Sequence, residues 1–253
     1  MLSATIWWAG IFLEVAILFR GFQGKFLSKY SFFYAYCMCV LCAWVPGYFL
    51  FASGSPLYGN WYWVAQFISL IVGYGILLEI FKHVLSPYPG AEKVARITGL
   101  VVFAVIFCSA LIYPLLAPQG SGSGTMVEFE RDLRTVQAVF IFAIMAVISY
   151  YRIPIGRNMR GMVLGYGLYI GTSLVSLAVR SYADAPFTEV WRIVQPVSYD
   201  FSSLIWLVAL WSFHPNPAPE SAIKLEGDYE RLVTRVRRTL GTMRTYFVGT
   251  VRP

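Results

Sequence analysis

Hydrophobic residues run along this chain in long blocks that are separated by short polar connections. A hydrocarbon core of about 30 Å is crossed by about 20 mostly apolar residues in helical form. Seven blocks reach that length, at about 4–22, 31–53, 61–85, 97–117, 134–151, 161–181 and 189–213. We therefore predict an all-α integral membrane protein, with a bundle of seven transmembrane helices over residues 1–215.

The fourth and fifth blocks differ in quality. Residues 97–116 carry no charge, which makes the fourth block the clearest span. The uncharged run of the fifth block, residues 135–151, is short for a span, so we expect Arg134 at or just inside the membrane interface. The connection between the two blocks, residues 117–125 (APQGSGSGT), is typical of a flexible loop.

The composition agrees with residence in a membrane and excludes two other classes. The chain has 253 residues, of which 58% are hydrophobic and only 13% are charged. A soluble domain has about 25% charged residues. Disordered chains have high charge and few aromatic residues, whereas 17% of this chain is aromatic.

The positions of the cations predict the orientation of the bundle, because cytoplasmic loops of membrane proteins carry an excess of Lys and Arg. Of the 20 cations, 16 lie in the first, third and fifth connections and in the tail. The second connection is uncharged, and acidic residues dominate the connecting loops on the same side. We therefore predict that the N-terminus is outside and the C-terminus cytoplasmic. The net charge of +7 then indicates a basic cytoplasmic surface that contacts anionic lipid head groups, and no nucleic acid is expected.

The tail, residues 216–253, is predicted to be a proline-rich hinge followed by a short amphipathic helix. Its apolar residues alternate at spacings of four and three, which is the pattern of a heptad seam. Two interpretations stay open: pairing of residues 225–247 with a protein partner or a second copy, or a helix lying on the inner leaflet. The seam residues are Tyr229, Val233, Val236, Leu240, Met243 and Phe247, and the basic residues on the other faces are Arg231, Arg235, Arg237, Arg238 and Arg244.

Three acids fall inside predicted spans, where ionisable groups are costly and therefore candidates for function. They are Glu14, Glu79 and Asp200. Together with Tyr199, and with Tyr74 or Tyr166, they are candidates for a polar interior that binds a cationic ligand or passes protons. If the first and seventh helices are neighbours, Glu14 and Asp200 share a site. The alternative is that each acid only fixes helix packing, with Glu79 reaching toward Lys82 and His83.

Two helices contain residues that affect backbone geometry. Pro196 in the seventh helix removes a backbone hydrogen bond and permits a kink near Asp200. The sixth helix carries two glycine pairs with GxxxG spacing, which allow close helix contact. We expect these glycines to serve packing within the bundle, with dimerisation as the alternative. They are Gly161, Gly165, Gly167 and Gly171.

Charged residues also border the predicted outer surface. Two interpretations stay open for them, an outer binding vestibule or a solvated charged rim. They are Glu128, Glu130, Arg131, Asp132, Arg134, Arg180, Asp184, Glu189 and Arg192.

Several chemistries lack the residues they need. No lysine lies in the middle of a span, which excludes a retinal Schiff base. With two histidines and cysteines that lack ligand spacing, we predict no metal site and no cofactor. No catalytic motif can be read, so the sequence favours a protein that is not an enzyme, and an intramembrane enzyme is the least supported class.

The features that remain favour a membrane sensor or receptor-like protein. A buried acid near Pro196 and a patterned helix after the last span suggest that the bundle acts on a partner through its C-terminal helix. One alternative is a small transporter or proton-linked carrier that uses the intramembrane carboxylates. Another is a structural or assembly subunit of a larger membrane complex. The expected location is a bacterial inner membrane or a plasma membrane.

Overall fold

The structure, a computed structural model, describes residues 2–116, 122–182, 185–214, 216–217, 227–231, 233–235 and 238. All regular secondary structure within these residues is helical, as the sequence predicts. There are seven long helices in this part of the chain: α1 (Leu2–Gln23), α2 (Ser31–Ala52), α3 (Tyr58–Leu85), α4 (Pro89–Leu116), α5 (Gly122–Tyr151), α6 (Arg157–Tyr182) and α7 (Ala185–Ala209).

Five of the helices are long and apolar enough to cross a membrane, judged over the described residues. α7 adds a shorter apolar stretch, Ile193–Ala209. Long apolar helices with many outward-facing aromatic and aliphatic side chains indicate a membrane-embedded protein. The five segments are Ala4–Gln23, Ser31–Ala52, Tyr58–Leu85, Glu130–Tyr151 and Arg157–Ala178.

The bundle is closed by α1 and α7, which pack against each other. α1 also contacts α2, and α7 also contacts α6. α3 is the central helix, because it touches α2, α4, α5 and α6. The adjacency of the first and seventh helices, which the shared site of Glu14 and Asp200 requires, is therefore present.

Several helix ends differ from the hydrophobic blocks, most notably at α4, α5 and α7. α4 starts at Pro89 rather than at 97, and α5 starts at Gly122, so the prediction of a loop through Thr125 was wrong. The first turns of α4 and α5 are polar. They are helical nonetheless, because helical hydrogen bonds do not require the hydrophobicity that marks a membrane span. α7 ends at Ala209 rather than at 213, because side chains of α6 bind the last carbonyls of the helix.

After α7 the chain is tied to one end of the bundle as a strap, which we define as residues 210–214, 216 and 217. Asn158 of α6 donates hydrogen bonds to the carbonyls of Ala209 (3.0 Å) and Ser212 (2.8 Å) and accepts one from the His214 amide. Arg20 of α1 donates to the Trp211 carbonyl at 2.6 Å. The strap therefore joins the ends of α1 and α6 to the C-terminal end of α7.

The strap also reaches α3 and the connection between α1 and α2. The Asn216 side chain accepts a hydrogen bond from the Gly156 amide (2.8 Å) and donates one to the His83 carbonyl (3.0 Å). The Lys29 ammonium lies 3.3 Å from the centroid of the Phe213 ring. Asn216, at the start of the predicted hinge, is thus bound to two parts of the bundle.

Two of the four glycines in α6 lie against α7. Gly161 faces Ala209, and Gly165 faces the indole of Trp206, so closely in both cases that a Cβ atom would collide. Gly167 faces α5 at ordinary contact distance, and nothing lies within 4 Å of a Cβ placed on Gly171. The first GxxxG pair therefore allows the close approach of α6 and α7.

Candidate functional site

Glu14 is the most enclosed acid among the described residues, with none of its surface exposed. Tyr199 of α7 donates a hydrogen bond of 2.5 Å to Glu14 Oε1, and Ser203, one turn further along α7, donates to the same oxygen at 3.3 Å. The Cys37 thiol of α2 lies beside this carboxylate. Glu14 Oε2 has no hydrogen-bond partner among the described residues. One carboxylate oxygen is thus bound and the other is enclosed but unpaired.

Asp200 lies next to Tyr199 in α7 and borders the same helix interface. A Cβ atom placed on Gly10 of α1 would lie 2.7 Å from Asp200 Oδ1, which shows how closely this acid approaches α1. The Asp200 side chain is only partly buried, but its Oδ1 is buried and lacks a partner within the described chain. The structure therefore brings Glu14, Tyr199 and Asp200 together.

Glu79 has different partners from these three residues. Its carboxylate accepts hydrogen bonds from the backbone amides of Phe33 (2.9 Å) and Phe32 (3.3 Å) and from the Ser31 hydroxyl (3.4 Å). These groups form the first turn of α2, where helix amides have no partner within the helix. Glu79 of α3 therefore caps α2 from outside.

The interpretation that Glu79 reaches toward Lys82 and His83 is replaced by this capping role. His83 instead bonds to the backbone carbonyl of Glu79 through Nδ1 (2.9 Å) and packs against the Tyr30 ring. Tyr30 lies just before α2, and its burial, together with the negative charge of Glu79, raises the pKa of its hydroxyl.

A second buried polar cluster lies among α3, α5 and α6. Arg134 Nε donates to Glu130 Oε1 at 2.8 Å, and the side chains of Arg134 and Glu130 are 2% and 6% exposed. Gln66 of α3 donates to the same Glu130 oxygen at 2.5 Å, and Arg134 Nη2 donates to the Tyr169 hydroxyl at 3.3 Å. The solvated-rim interpretation was wrong for this pair, because both charges are buried and compensated inside the bundle. The expectation that Arg134 lies at or just inside the membrane interface stays a prediction.

Tyr169 connects the two clusters. Its ring lies edge-to-face against Tyr199, with the ring centroids 5.1 Å apart, while its hydroxyl binds Arg134. The other two candidate tyrosines belong to the second cluster: Tyr74 donates to the Leu133 carbonyl (2.9 Å), and the Tyr166 hydroxyl lies against Gly73. A continuous line of polar and aromatic contacts thus joins Glu14 to Glu130.

The other rim residues have mixed environments. Glu128 and Asp132 are exposed, and Arg131 lies 3.8 Å from Asp132. These residues fit the solvated-rim interpretation. Asp184 lies outside the described residues, as do the side chains of Arg180, Glu189 and Arg192.

Pro196 lies inside α7, one turn before Asp200. Toward the N-terminal side of this proline, Gln195 accepts a hydrogen bond of 2.9 Å from Ser176 of α6. α7 is therefore bonded to α6 before Pro196, and to both α1 and α6 after it.

The described part of the predicted C-terminal helix contacts the bundle. Tyr229, the first seam residue, packs against Gly90 at the start of α4, and Asp228 accepts a hydrogen bond from Tyr151 at 3.4 Å. Arg231 lies 3.8 Å from Asp228, and Arg235 and Arg238 are also within the described residues. Arg237 and Arg244 lie outside them.

No metal centre is evident in the described chain, since no group of three or more His, Cys, Asp or Glu side chains converges there. A cleft between α3, α4 and α5 is lined by apolar side chains, among them Leu78, Phe103 and Phe140. None of the three intramembrane acids borders this cleft.

Sequence reasoning missed the partners of both clusters. Ser203 was identifiable from the sequence, because it lies one helical turn from the candidate Tyr199. Glu130 and Arg134 were named only as rim residues, although positions i and i+4 fall on one helix face. Gln66, Cys37 and Tyr169 have no such signal, because their contacts join residues far apart in the sequence.

Comparison of this chain with protein-family models, with curated protein sequences and with solved structures finds no match.

Proposed function

We propose that this chain is a seven-helix membrane sensor or receptor-like protein that acts on a partner through its C-terminal helix. In this proposal all seven helices cross the membrane, with the N-terminus outside and the basic end in the cytoplasm. The membrane is a bacterial inner membrane or a plasma membrane, where that basic end meets anionic head groups.

The observation that carries the proposal is that α7 is held at two places, in its middle by a buried acid and at its end by the strap. Its middle is bound through Tyr199 and Ser203 to Glu14, in a site with an unpaired buried oxygen. Its end continues into the strap, which is bound to α1, α3 and α6. A rearrangement at Glu14 would therefore be passed along α7 to the segment that precedes the C-terminal helix.

Hydrogen exchange of the full-length chain in lipid nanodiscs tests this coupling. Glu14→Gln and Tyr199→Phe should speed amide exchange in residues 211–214, although neither residue lies in the strap. Glu128→Gln, an exposed acid, and Tyr48→Phe, a half-buried tyrosine at the other end of the bundle, are matched controls. Unchanged exchange in the strap, or an equal rise in every helix, would contradict the proposal.

The partner itself is tested by deleting residues 220–253. Crosslinking in native membranes should then lose the partner while the bundle remains inserted. If the association survives the deletion, recruitment through the C-terminal helix is wrong.

A proton-linked carrier is the second candidate, and the unpaired oxygens of Glu14 and Asp200 favour it. Transport needs a water path to these groups, whereas Glu14 is wholly enclosed in this conformation. Proton flux into liposomes that contain the chain, compared with the Glu14→Gln and Asp200→Asn variants, decides between the two. Undiminished flux in both variants would remove the carrier function.

A further inference from the structure

Two carboxylate oxygens at the contact of α1 and α7 lack a hydrogen-bond partner among the described residues: Glu14 Oε2 and Asp200 Oδ1. Glu14 is wholly buried, and the Asp200 oxygen is buried as well. A charged oxygen left without a partner in such surroundings is strongly destabilising. The described contacts of the protein leave these two oxygens uncompensated.

The two acids border the same patch of α1. Asp200 Oδ1 lies against Gly10, and Glu14 is one turn further along the same helix face. Side chains in a helix lean toward its N-terminus, which brings the Glu14 carboxylate toward the level of Gly10. On α7, Ser203 binds Glu14 and lies three residues from Asp200, so α7 presents both contacts from one side.

The surrounding described groups supply no compensating positive charge at this patch. Tyr199 and Ser203 of α7 are neutral donors to Glu14 Oε1, and the Cys37 thiol of α2 beside this carboxylate is neutral as well. Arg134 of α5 belongs to the neighbouring polar cluster. It is already paired with Glu130 and donates a hydrogen bond to the Tyr169 hydroxyl. Two like charges close together in a low-dielectric interior do not both persist unless a cation joins them.

We propose that Glu14 and Asp200 together bind one small monovalent cation, an alkali-metal ion or a proton, between α1 and α7. Asp200 is the member of the pair with exposed surface, whereas Glu14 is sealed. The idea that this cation is the signal sensed by the bundle rests on the proposed function. The binding of the cation does not depend on that function.

Cation-dependent stability of the full-length chain in detergent micelles tests the proposal. The midpoint of thermal unfolding, followed by tryptophan fluorescence, is measured in Na⁺, Li⁺ or K⁺ against N-methylglucamine at constant ionic strength, and separately across pH at fixed Na⁺. The wild-type midpoint should rise by several degrees with an alkali ion or with added protons. Asp200→Asn should lose that response, while Glu128→Gln, which alters an exposed acid, should keep it.

The two arms identify the ion. A rise with Na⁺, Li⁺ or K⁺ that weakens at low pH assigns an alkali ion, and a response to pH alone assigns a proton. Equal responses in wild type and Asp200→Asn, or no response in either arm, would overturn the proposal. Because Asp200 is partly exposed, we expect Asp200→Asn to fold. This variant therefore tests cation binding even if Glu14→Gln fails to fold. A negative result in this unfolding experiment does not change the result expected from hydrogen exchange in the strap, so the two proposals can fail separately.

Discussion

The Tyr199 hydroxyl donates a hydrogen bond of 2.5 Å to Glu14 Oε1 and so joins the last helix of the bundle to the first across 185 residues of sequence. Both residues are buried, and the same Tyr199 ring packs against Trp44 of α2 and Tyr169 of α6. One side chain therefore holds four helices together at the level of a buried acid.

Tyr199→Phe should destabilise the bundle, because Glu14 then keeps only the longer bond from Ser203. Leaving a buried acceptor without its donor costs about 1–3 kcal/mol. Unfolding by SDS in mixed micelles measures this loss. Tyr48→Phe is the matched control, since the Tyr48 ring contacts are retained by phenylalanine, and its effect should stay within about 0.5 kcal/mol. Equal effects of the two changes would contradict a specific role for the Tyr199 hydroxyl.

Glu79→Ala should loosen the start of α2, because it removes the acceptor for the Phe32 and Phe33 amides. Loss of a cap costs about 0.5–2 kcal/mol. Hydrogen exchange should rise at residues 32 and 33 more than in the rest of α2. Glu79→Gln retains one carbonyl oxygen and should show a smaller rise. A uniform rise along α2 would speak against capping.

The Glu130–Arg134 pair should behave as a unit. Removing one partner of a buried ion pair costs about 3–5 kcal/mol, because the other charge is left unpaired. Glu130→Gln and Arg134→Met should each destabilise the bundle by about that amount, and the double variant by less than their sum. Additive effects in the double-mutant cycle would contradict a direct coupling. Arg131→Met, at a partly exposed neighbouring position, is the control.

The glycines of α6 should divide into two groups. Gly161→Ala and Gly165→Ala place a methyl group into Ala209 and Trp206 of α7, and overpacking of this kind costs about 1–3 kcal/mol. Gly171→Ala meets nothing within 4 Å and should be neutral or slightly stabilising. Thermal unfolding of the three variants measures the difference. If Gly171→Ala were as damaging as Gly165→Ala, close approach of α6 and α7 would not be the reason for these glycines.

Asn158→Ala should release the strap, because its amide group binds Ala209, Ser212 and His214. Amide exchange at residues 211–214 should then rise by at least tenfold, which corresponds to about 1.4 kcal/mol of local stability. Asn60→Ala, at an exposed position in α3, is the matched control. An unchanged rate in the strap would show that Arg20 and Asn216 hold it without Asn158.

The sequence by itself determined that the chain is helical and embedded in a membrane, because both properties are local. Helical hydrogen bonds form within a segment, and lipid selects long apolar segments, so a hydrophobic block already contains the necessary information. The candidates Glu14, Tyr199 and Asp200 were also readable, since a polar group inside an apolar block stands out.

Only the tertiary structure decided which of these groups meet. Glu79 caps α2, Arg134 is buried beside Glu130, and α7 ends early at Ala209, because each depends on a partner from another helix. Helix order in a bundle is set by side-chain packing between distant segments, such as Gly165 against Trp206. The hydrophobic pattern of a single helix carries no record of that packing.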